Sequence, residues 1–304
     1  MRRGGRAAVT AWALAVSITQ VVTGAVAHAA PASVVDMPRH GDIEHGPWTL
    51  GYRSYGSDGL RVFRIDYREQ RMASSVSLPQ IRVDYPDGKQ FDDQLGLGDL
   101  PARWVHMRPH GAGFDLRALY LDDEWPQECS YRYVMTYRFT AGGEIDPRVW
   151  ISGPGCGPAA HYHLSWRVDL DVYGSEADAF RYYRSRWRLP PSEGLFPERE
   201  RGEHGRAQWK VVDLESGTRA VRVVPTFPGR GFVTAVHYVE GQGDRDLHAV
   251  TFPARFVDGE GVQQTDVVAW YRLEVTLRRA DGCPTRCPDP TRVGFRLVSS
   301  GFVS

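Results

Sequence analysis

Short strand-like segments separated by glycine and proline restrict the fold of this chain more than any other feature. Only Glu176–Trp187 is a helical candidate, and it lacks a clear apolar face. Many short strands with glycine-rich turns predict an all-β sandwich or barrel-like architecture. The segments with alternating or β-branched and aromatic character are Leu60–Tyr67, Ser75–Asp84, Tyr131–Phe139, Glu144–Ser152, Tyr162–Val172, Gln208–Leu214, Arg219–Val224, Phe232–Tyr238, Val267–Arg278 and Arg292–Val298.

The N-terminus has the pattern of a secretory signal. Three arginines within the first six residues precede an apolar run that ends near Val26, and Ala27-His28-Ala29 supplies small residues where signal peptidase reads them. We therefore predict a cleaved signal peptide over residues 1–29, a lead segment over 30–50, one large β domain over 51–304, and a secreted protein. Beyond the signal, no apolar run is long enough to span a bilayer.

Charge balance and cysteine content limit the partners and the compartment. Lys plus Arg and Asp plus Glu both number 37, so no overall field favours nucleic acid or an anionic membrane. The four cysteines all follow the signal, which predicts disulfides in an oxidising compartment. Ala141-Gly142-Gly143 predicts a hairpin turn, and pairing about it sets Cys129 nearly opposite Cys156. We expect that bridge and a local one between Cys283 and Cys287.

Two short motifs on one predicted strand have the chemistry of metal ligands. The two-residue period of a strand points His161 and His163 to one face, where both imidazoles can bind one ion. Asp169 and Asp171 follow, and two carboxylates with a backbone carbonyl between them suit a hard cation such as calcium. Alone, each motif is also compatible with solvated surface side chains.

The order of these motifs resembles that of the copper amine oxidases. In that family a paired-histidine strand with two copper ligands runs into a calcium site, as His161-Tyr-His163 runs into Arg167-Val-Asp169-Leu-Asp171 here. The similarity continues in order from about Gly51 to the C-terminus and implies a β-sandwich. The further similar segments are Val76–Leu78, Ile81–Asp87, Phe91-Asp92 with Gly96–Gly98, Ser130–Tyr133 with Gly143–Ile145, Gly217-Thr218, Val221–Pro225, Thr265–Trp270, Val293–Leu297 and Gly301-Phe302.

The resemblance assigns a role to each matched residue. It implies that Tyr131 is the precursor of the topaquinone cofactor, that Asp92, with Asp93 as competitor, is the catalytic base, and that Tyr85 hydrogen-bonds the cofactor. His161 and His163 match two copper ligands. The calcium carboxylates are matched by Asp169, Asp171 and Asp266, with carbonyls from Leu170 and Val267. The implied reaction is oxidative deamination of a small primary amine with O2, by a homodimer.

The chain also departs from the family pattern at the expected copper site. Leu277 stands where the third copper histidine is expected, Ser130 and Arg132 replace the polar and acidic neighbours of the tyrosine, and one residue is missing between His163 and Asp169. An aliphatic side chain cannot ligate copper. These departures predict impaired oxidase activity.

Two alternatives to the oxidase stay open. One is a secreted, non-catalytic binding or structural module. The other is a mononuclear metal protein in which His204, His237 or His248 completes a site with His161 and His163. Either way, the motif order predicts that the Tyr131 strand lies close enough to the His161 strand for the phenol to approach the imidazoles. Strand alternation predicts that Leu277 is an inward-facing core residue.

Overall fold

Two antiparallel β-sheets face each other across an aromatic core. The computed structural model describes residues 33–152, 155–172, 174, 178–184, 186–197, 209–225, 232–237, 257, 259–278 and 291–302. These residues form strands but no helix, and none of them therefore belongs to a helix that could cross a membrane. The all-β prediction is confirmed.

The strands are numbered in chain order. They are β1 (Val35–Met37), β2 (His40–His45), β3 (Trp48–Arg53), β4 (Arg61–Tyr67), β5 (Gln70–Asp84), β6 (Gln90–Asp93), β7 (Ala102–His110), β8 (Gly113–Leu121), β9 (Arg132–Phe139), β10 (Glu144–Ser152), β11 (Ala159–Leu170), β12 (Asp178–Arg184), β13 (Arg186–Arg188), β14 (Gly194–Pro197), β15 (Trp209–Asp213), β16 (Ala220–Pro225), β17 (Phe232–His237), β18 (Val267–Arg278) and β19 (Thr291–Ser300).

Each sheet has a defined strand order. Among the described residues, the first sheet contains ten strands in the order β1-β7-β8-β9-β10-β19-β16-β15-β12-β13. The second contains nine: β14-β17-β18-β11-β5-β4-β3-β2, with β6 paired to β5. Strands β1 to β3 belong to the same compact unit as the rest of the described chain.

Alternation along β11 divides its side chains between the two faces of the nine-stranded sheet. The even-numbered residues from Tyr162 to Leu170 are buried and face the ten-stranded sheet. Trp166, for example, packs edge-to-face on Tyr137 of β9 and Phe295 of β19, with ring centroids 6.1 and 5.6 Å away. The odd-numbered residues, including His161, therefore lie on the face that looks away from the other sheet. These two sides are called the inner and outer faces below.

The predicted hairpin and its disulfide are both confirmed. β9 and β10 pair from Phe139 opposite Ile145 to Arg132 opposite Ser152. The turn between them includes Gly143, whose φ of 83° lies in the left-handed region that favours glycine. Beyond the open end of this hairpin, Cys129 is bonded to Cys156.

The ten segments predicted as strands each correspond to a strand of the structure, whereas the helical candidate Glu176–Trp187 does not form a helix. Its described part belongs to β12 and β13. β12 pairs with β15, and Phe180 is fully buried. Tertiary pairing therefore decides the conformation of a segment that has no helical face of its own.

Candidate functional site

An acidic pocket lies beside the disulfide. It has a volume of about 470 Å3. Four of its lining residues are aspartates, and none of the described lining residues is basic. The lining residues are Phe91, Asp92, Asp93, Gln94, Leu97, Gly98, Asp99, Leu100, Asp122, Cys129, Tyr131 and Cys156.

Tyr131, the residue matched to the quinone precursor, is held at this pocket by close packing. Its hydroxyl lies 2.7 Å from that of Tyr85, which also accepts a hydrogen bond from the backbone N–H of Cys156 at 3.0 Å. The residue at 155 must be glycine, because a Cβ there would lie 2.6 Å from the Tyr131 ring. Burial and the nearby Asp93 raise the pKa of Tyr131, so its phenol is neutral.

The carboxyl group that faces these tyrosines is Asp93, whereas Asp92 lines the pocket from an exposed position. On β6, Asp93 pairs with Ile81 on the inner face and Asp92 pairs with Arg82 on the outer face. The Tyr133 hydroxyl donates a hydrogen bond to Asp93. Burial raises the pKa of Asp93 to about 7 despite this bond. Asp92, the base favoured from the sequence, is exposed, so of these two carboxyl groups it is Asp93 that is buried beside the tyrosines.

Arg132 does not enter the pocket, although it follows Tyr131 in the sequence. Its guanidinium donates a hydrogen bond to the Ser152 hydroxyl at 3.1 Å across the hairpin. Ser130 is buried and donates to the Gln127 carbonyl at 2.6 Å. The Arg132 guanidinium, which was expected to disturb Tyr131, therefore lies on the face of β9 that is turned away from Tyr131.

The paired histidines lie on the outer face, away from Tyr131. His161 Nδ1 is 2.8 Å from the Thr276 hydroxyl, and His163 Nε2 is 3.1 Å from a carboxylate oxygen of Asp84. Tyr162, between the two histidines, faces the pocket side and is hydrogen-bonded to Tyr133. The expected approach of the phenol to the imidazoles is therefore wrong, because the sheet lies between them.

Leu277 lies on the inner face, as strand alternation predicted. β11 and β18 pair without a shift from Ala159 opposite Arg278 to Leu170 opposite Val267, which sets Leu277 opposite Ala160. Leu277 is buried in the core. It cannot point at the two histidines, so the residue matched to the third copper ligand is not beside the other two.

Glu274 occupies the place beside the histidines instead. It pairs with His163 across β11 and β18, and its carboxylate lies 3.3 Å from His163 Nδ1. Each of His161, His163 and Glu274 offers one ligand atom within 4.8 Å of the others. Burial lowers the pKa of His163, which favours the neutral imidazole. Sequence reasoning missed Glu274 because its partner strand is 111 residues away.

The residues present do not fit the copper and quinone pair that the resemblance implied. The phenol of Tyr131 contacts Tyr85 and the disulfide, and the imidazoles lie across the sheet. Of the histidine alternatives, His237 pairs with Val267, seven positions along β18 from Glu274, while His204 and His248 are outside the described residues. Cys283 and Cys287 are also outside them, so their expected bridge stays a prediction.

Two of the three residues matched to calcium ligands lie in an acidic cluster, which we define as Asp171, Asp178 and Asp266. Continuing the β11–β18 register by one position sets Asp171 opposite Asp266. Asp178 is fully buried, and one of its oxygens has no hydrogen-bond partner. Burial, with the charges of Asp171, Asp213 and Asp266, raises the pKa of Asp178 to about 9. Arg71 pairs with Asp171 at 3.5 Å and offsets part of the charge of this oxygen-rich cluster, which has the donor type that a hard cation prefers.

Asp169, the third residue matched to a calcium ligand, has a different partner. Its carboxylate forms an ion pair with the Arg167 guanidinium at 3.1 Å, and both side chains are buried. Asp178 was not singled out from the sequence, where only its position after a strand-end Asp-x-Asp hinted at it. In the structure, therefore, Asp178 lies near Asp171 and Asp266, whereas Asp169 forms an ion pair with Arg167.

No family model and no curated protein matches this sequence. Its structure is similar to a copper-containing benzylamine oxidase from Hansenula polymorpha, with a TM-score of 0.67 and 14% identity over 88% of this chain and 61% of that one. It is also similar to Pichia pastoris lysyl oxidase, with a TM-score of 0.65 and 14% identity over 93% and 56% of the two chains. For Aspergillus nidulans amine oxidase the TM-score is 0.62, with 13% identity over 93% and 55%.

These similarities concern the fold. The chain spans between 51% and 61% of the length of the first four oxidases that it matches. The two facing sheets agree with the β-sandwich that the resemblance in the sequence implied. The chain therefore has a copper amine oxidase-like β-sandwich fold.

Proposed function

We propose that this chain is an exported binding protein that holds a small organic cation, such as a primary ammonium ion, in the acidic pocket without oxidising it. One observation carries the proposal: the phenol of Tyr131 and the imidazoles of His161 and His163 lie on opposite faces of one sheet. Copper held by those imidazoles would not touch the phenol, so the tyrosine lacks the metal that would activate it.

The composition of the pocket supports a cationic ligand. Its aspartates supply negative charge, and the described lining residues include no Lys, Arg or His to neutralise it. The aromatic rings of Phe91 and Tyr131 add surfaces to which an organic cation is attracted. A few convergent polar groups within a partly apolar concave surface are typical of small-molecule sites. Asp93, at the buried end, would pair with the ammonium group.

Export is part of the same proposal. It rests on the signal-like residues 1–29 and is supported by the Cys129–Cys156 disulfide, since such bonds persist in oxidising compartments. Sequencing the N-terminus of protein collected outside the cell would test it. A mature N-terminus at Ala30 is expected, and retention of the intact chain inside the cell would contradict export.

The absence of oxidation is tested by expressing the mature chain with copper, aerating it and adding a hydrazine that traps quinone carbonyls. We expect no visible absorption band and no adduct.

Binding is tested by calorimetry at pH 8 with benzylamine, which is largely protonated there, and with benzyl alcohol as a neutral analogue. Only the amine should bind, because only it carries the charge that the aspartates attract.

The variants of the binding test compare two aspartates. Asp93→Asn should weaken benzylamine binding at least tenfold, about 1.4 kcal/mol. Asp123→Asn is the matched control, because Asp123 is exposed, does not line the pocket and pairs with Arg103. A quinone adduct in the wild type would overturn the non-oxidising role, and equal affinity for the alcohol would overturn the cation site.

We also propose that the acidic cluster of Asp171, Asp178 and Asp266 binds calcium as a structural ion. The supporting observation is the fully buried Asp178, with one oxygen lacking a hydrogen bond. Burial and the negative charge of the neighbouring aspartates raise the pKa of Asp178, and calcium would offset that charge. The ion would connect β11 to β12 and to the start of β18, and the stability experiment that tests it is given in the Discussion.

A further inference from the structure

The outer face of β11 and β18 carries a convergent set of nitrogen and oxygen atoms. His161 and His163 are two positions apart on β11, and Glu274 lies opposite His163 on β18. Glu274 Oε2 is 4.0 Å from His161 Nε2, and Glu274 Oε1 is 3.3 Å from His163 Nδ1. One carboxylate therefore faces one nitrogen of each imidazole.

The other nitrogen of each imidazole is held by a protein group. Thr276 Oγ1 lies 2.8 Å from His161 Nδ1, and Asp84 Oδ2 lies 3.1 Å from His163 Nε2. If these two nitrogens carry the protons, His161 Nε2 and His163 Nδ1 keep lone pairs that point towards Glu274. An imidazole oriented by a hydroxyl or carboxylate on its second nitrogen is the usual arrangement of a metal-ligating histidine.

We propose that His161, His163 and Glu274 bind one divalent transition-metal ion of the zinc or copper(II) type on the outer face of the sheet. Two imidazoles and one carboxylate are a donor set that suits these ions. Ligand atoms in a tetrahedral site are about 3.4 Å apart, given bonds of about 2.0–2.1 Å. The three candidate ligand atoms now lie within 4.8 Å of one another, so side-chain shifts of about 1 Å would bring them to the tetrahedral spacing. This inference does not depend on the acidic pocket.

Arg272 competes with the metal ion for this place. Its Nη2 lies 2.5 Å from His163 Nδ1 and 3.4 Å from Glu274 Oε1. A cationic group thus already occupies the space between the two ligands, and the ion must displace it. Removing the arginine should therefore tighten metal binding, whereas removing the Glu274 carboxylate distinguishes this site from a histidine pair that binds ions without it.

The test is calorimetric titration of Zn2+ into the mature protein after treatment with a chelator. We expect one ion per chain at this site. His161→Gln and Glu274→Gln should each weaken binding at least tenfold, and Arg272→Met should tighten it several-fold. His161→Gln is preferred to a change at His163, because the His161 side chain is 40% exposed and its loss leaves the core intact. Melting curves without metal check that each variant folds.

Matched controls separate this site from ordinary surface histidines. His110 forms a similar pair with Asp115 on another part of the surface, and His110→Gln should leave Zn2+ binding unchanged. Glu144→Gln removes an acid that pairs with Arg296 and should have no effect. With Cu2+, electron paramagnetic resonance should show coupling to two imidazole nitrogens that is lost in His161→Gln. Zn2+ affinity equal to wild type in Glu274→Gln, or unaltered in Arg272→Met, would refute the site.

Discussion

At the scale of single residues, Asp93 is the carboxyl group with the most unusual environment near the pocket. It lies on the inner face, accepts a hydrogen bond from Tyr133 and has a pKa raised to about 7 by burial. In the unfolded chain an aspartate titrates near 3.9. Between those two values the folded protein binds a proton that the unfolded chain has lost, so the contribution of Asp93 to stability falls as pH rises from about 4 to about 7.

Asp93→Asn should remove this pH dependence. The amide oxygen of asparagine can still accept the bond from Tyr133, but the side chain never ionises. Relative to wild type, the variant should gain roughly 1.4 kcal/mol of stability for each pH unit between about 4 and 7, and no more above that range. Urea unfolding at pH 5, 6, 7 and 8 measures it.

Asp123→Asn serves as the control for that series, because Asp123 is exposed, does not line the pocket and is not among the charges that raise the pKa of Asp93. Its stability difference from wild type should not change with pH in this range. A flat difference for Asp93→Asn as well would mean that Asp93 titrates normally, and its role as the buried partner of an ammonium ion would be lost with it.

Residue-level predictions from the sequence depended on knowing which face of the sheet each strand residue occupies. The sequence indicates this only in part. The two-residue period correctly grouped His161 with His163 and correctly made Leu277 a core residue. It could not say which face of the sheet meets Tyr131, since that depends on how β11 packs on β9. The choice between Asp92 and Asp93 likewise depends on the register of β6 against β5, which the local sequence does not encode.

At the scale of elements, the pairing of β11 with β18 places the core residues and the metal-ligand candidates, which are neighbours in the sequence, on opposite faces of the sheet. Inner positions carry Tyr162 and Leu277, and outer positions carry His161 and Thr276. The strands themselves were predictable, because their apolar residues alternate or are β-branched. β7 and β8 were missed, although Phe114, Leu116, Ala118 and Tyr120 of β8 also lie at alternate positions.

Leu277→His tests this division of faces. The new imidazole would enter the apolar core, where an unsatisfied polar group and poorer packing should cost about 2–4 kcal/mol of unfolding free energy. It should not change Zn2+ affinity, because it lies across the sheet from His161 and His163. Chemical denaturation and Zn2+ calorimetry on the same preparation measure both effects.

The adjacent Thr276→His is the matched control for stability. Thr276 is exposed, so a histidine there should change the unfolding free energy by less than about 1 kcal/mol. A tighter metal site in Leu277→His would mean that position 277 reaches the two imidazoles, and the assignment of inner and outer faces would then be reversed.

At the scale of the whole molecule, the acidic cluster concentrates a charge that the fold must tolerate. Asp178 lies on β12 of the ten-stranded sheet, whereas Asp171 follows β11 and Asp266 precedes β18, both strands of the nine-stranded sheet. The backbone N–H of Gln264 also donates to the Asp178 carbonyl at 2.7 Å. The carboxylates thus meet where the two sheets are joined, and Arg71, 3.5 Å from Asp171, offsets part of the repulsion that opposes this junction.

Calcium should therefore stabilise the native state, because it binds the folded cluster and not the unfolded chain. At a concentration about 100-fold above its dissociation constant, a native-state ligand adds about 2.7 kcal/mol, which corresponds to a rise in melting temperature of roughly 5 °C for a domain of this size. Magnesium should add less, since it requires a more regular octahedral site. Thermal unfolding at pH 7.5 with chelator, Ca2+ or Mg2+ measures the shift.

Asp178→Asn separates a calcium site from a cluster of buried acids. Without metal, the variant should melt above wild type at pH 7.5, because it removes the carboxyl whose pKa is raised to about 9 by burial and three neighbouring charges. With calcium, the order should reverse, because the asparagine loses the charge that binds the ion. Asp123→Asn, an exposed control, should behave as wild type in both conditions. If calcium leaves the wild-type melting temperature unchanged while Asp178→Asn still melts higher, the cluster holds a shared proton in place of a cation.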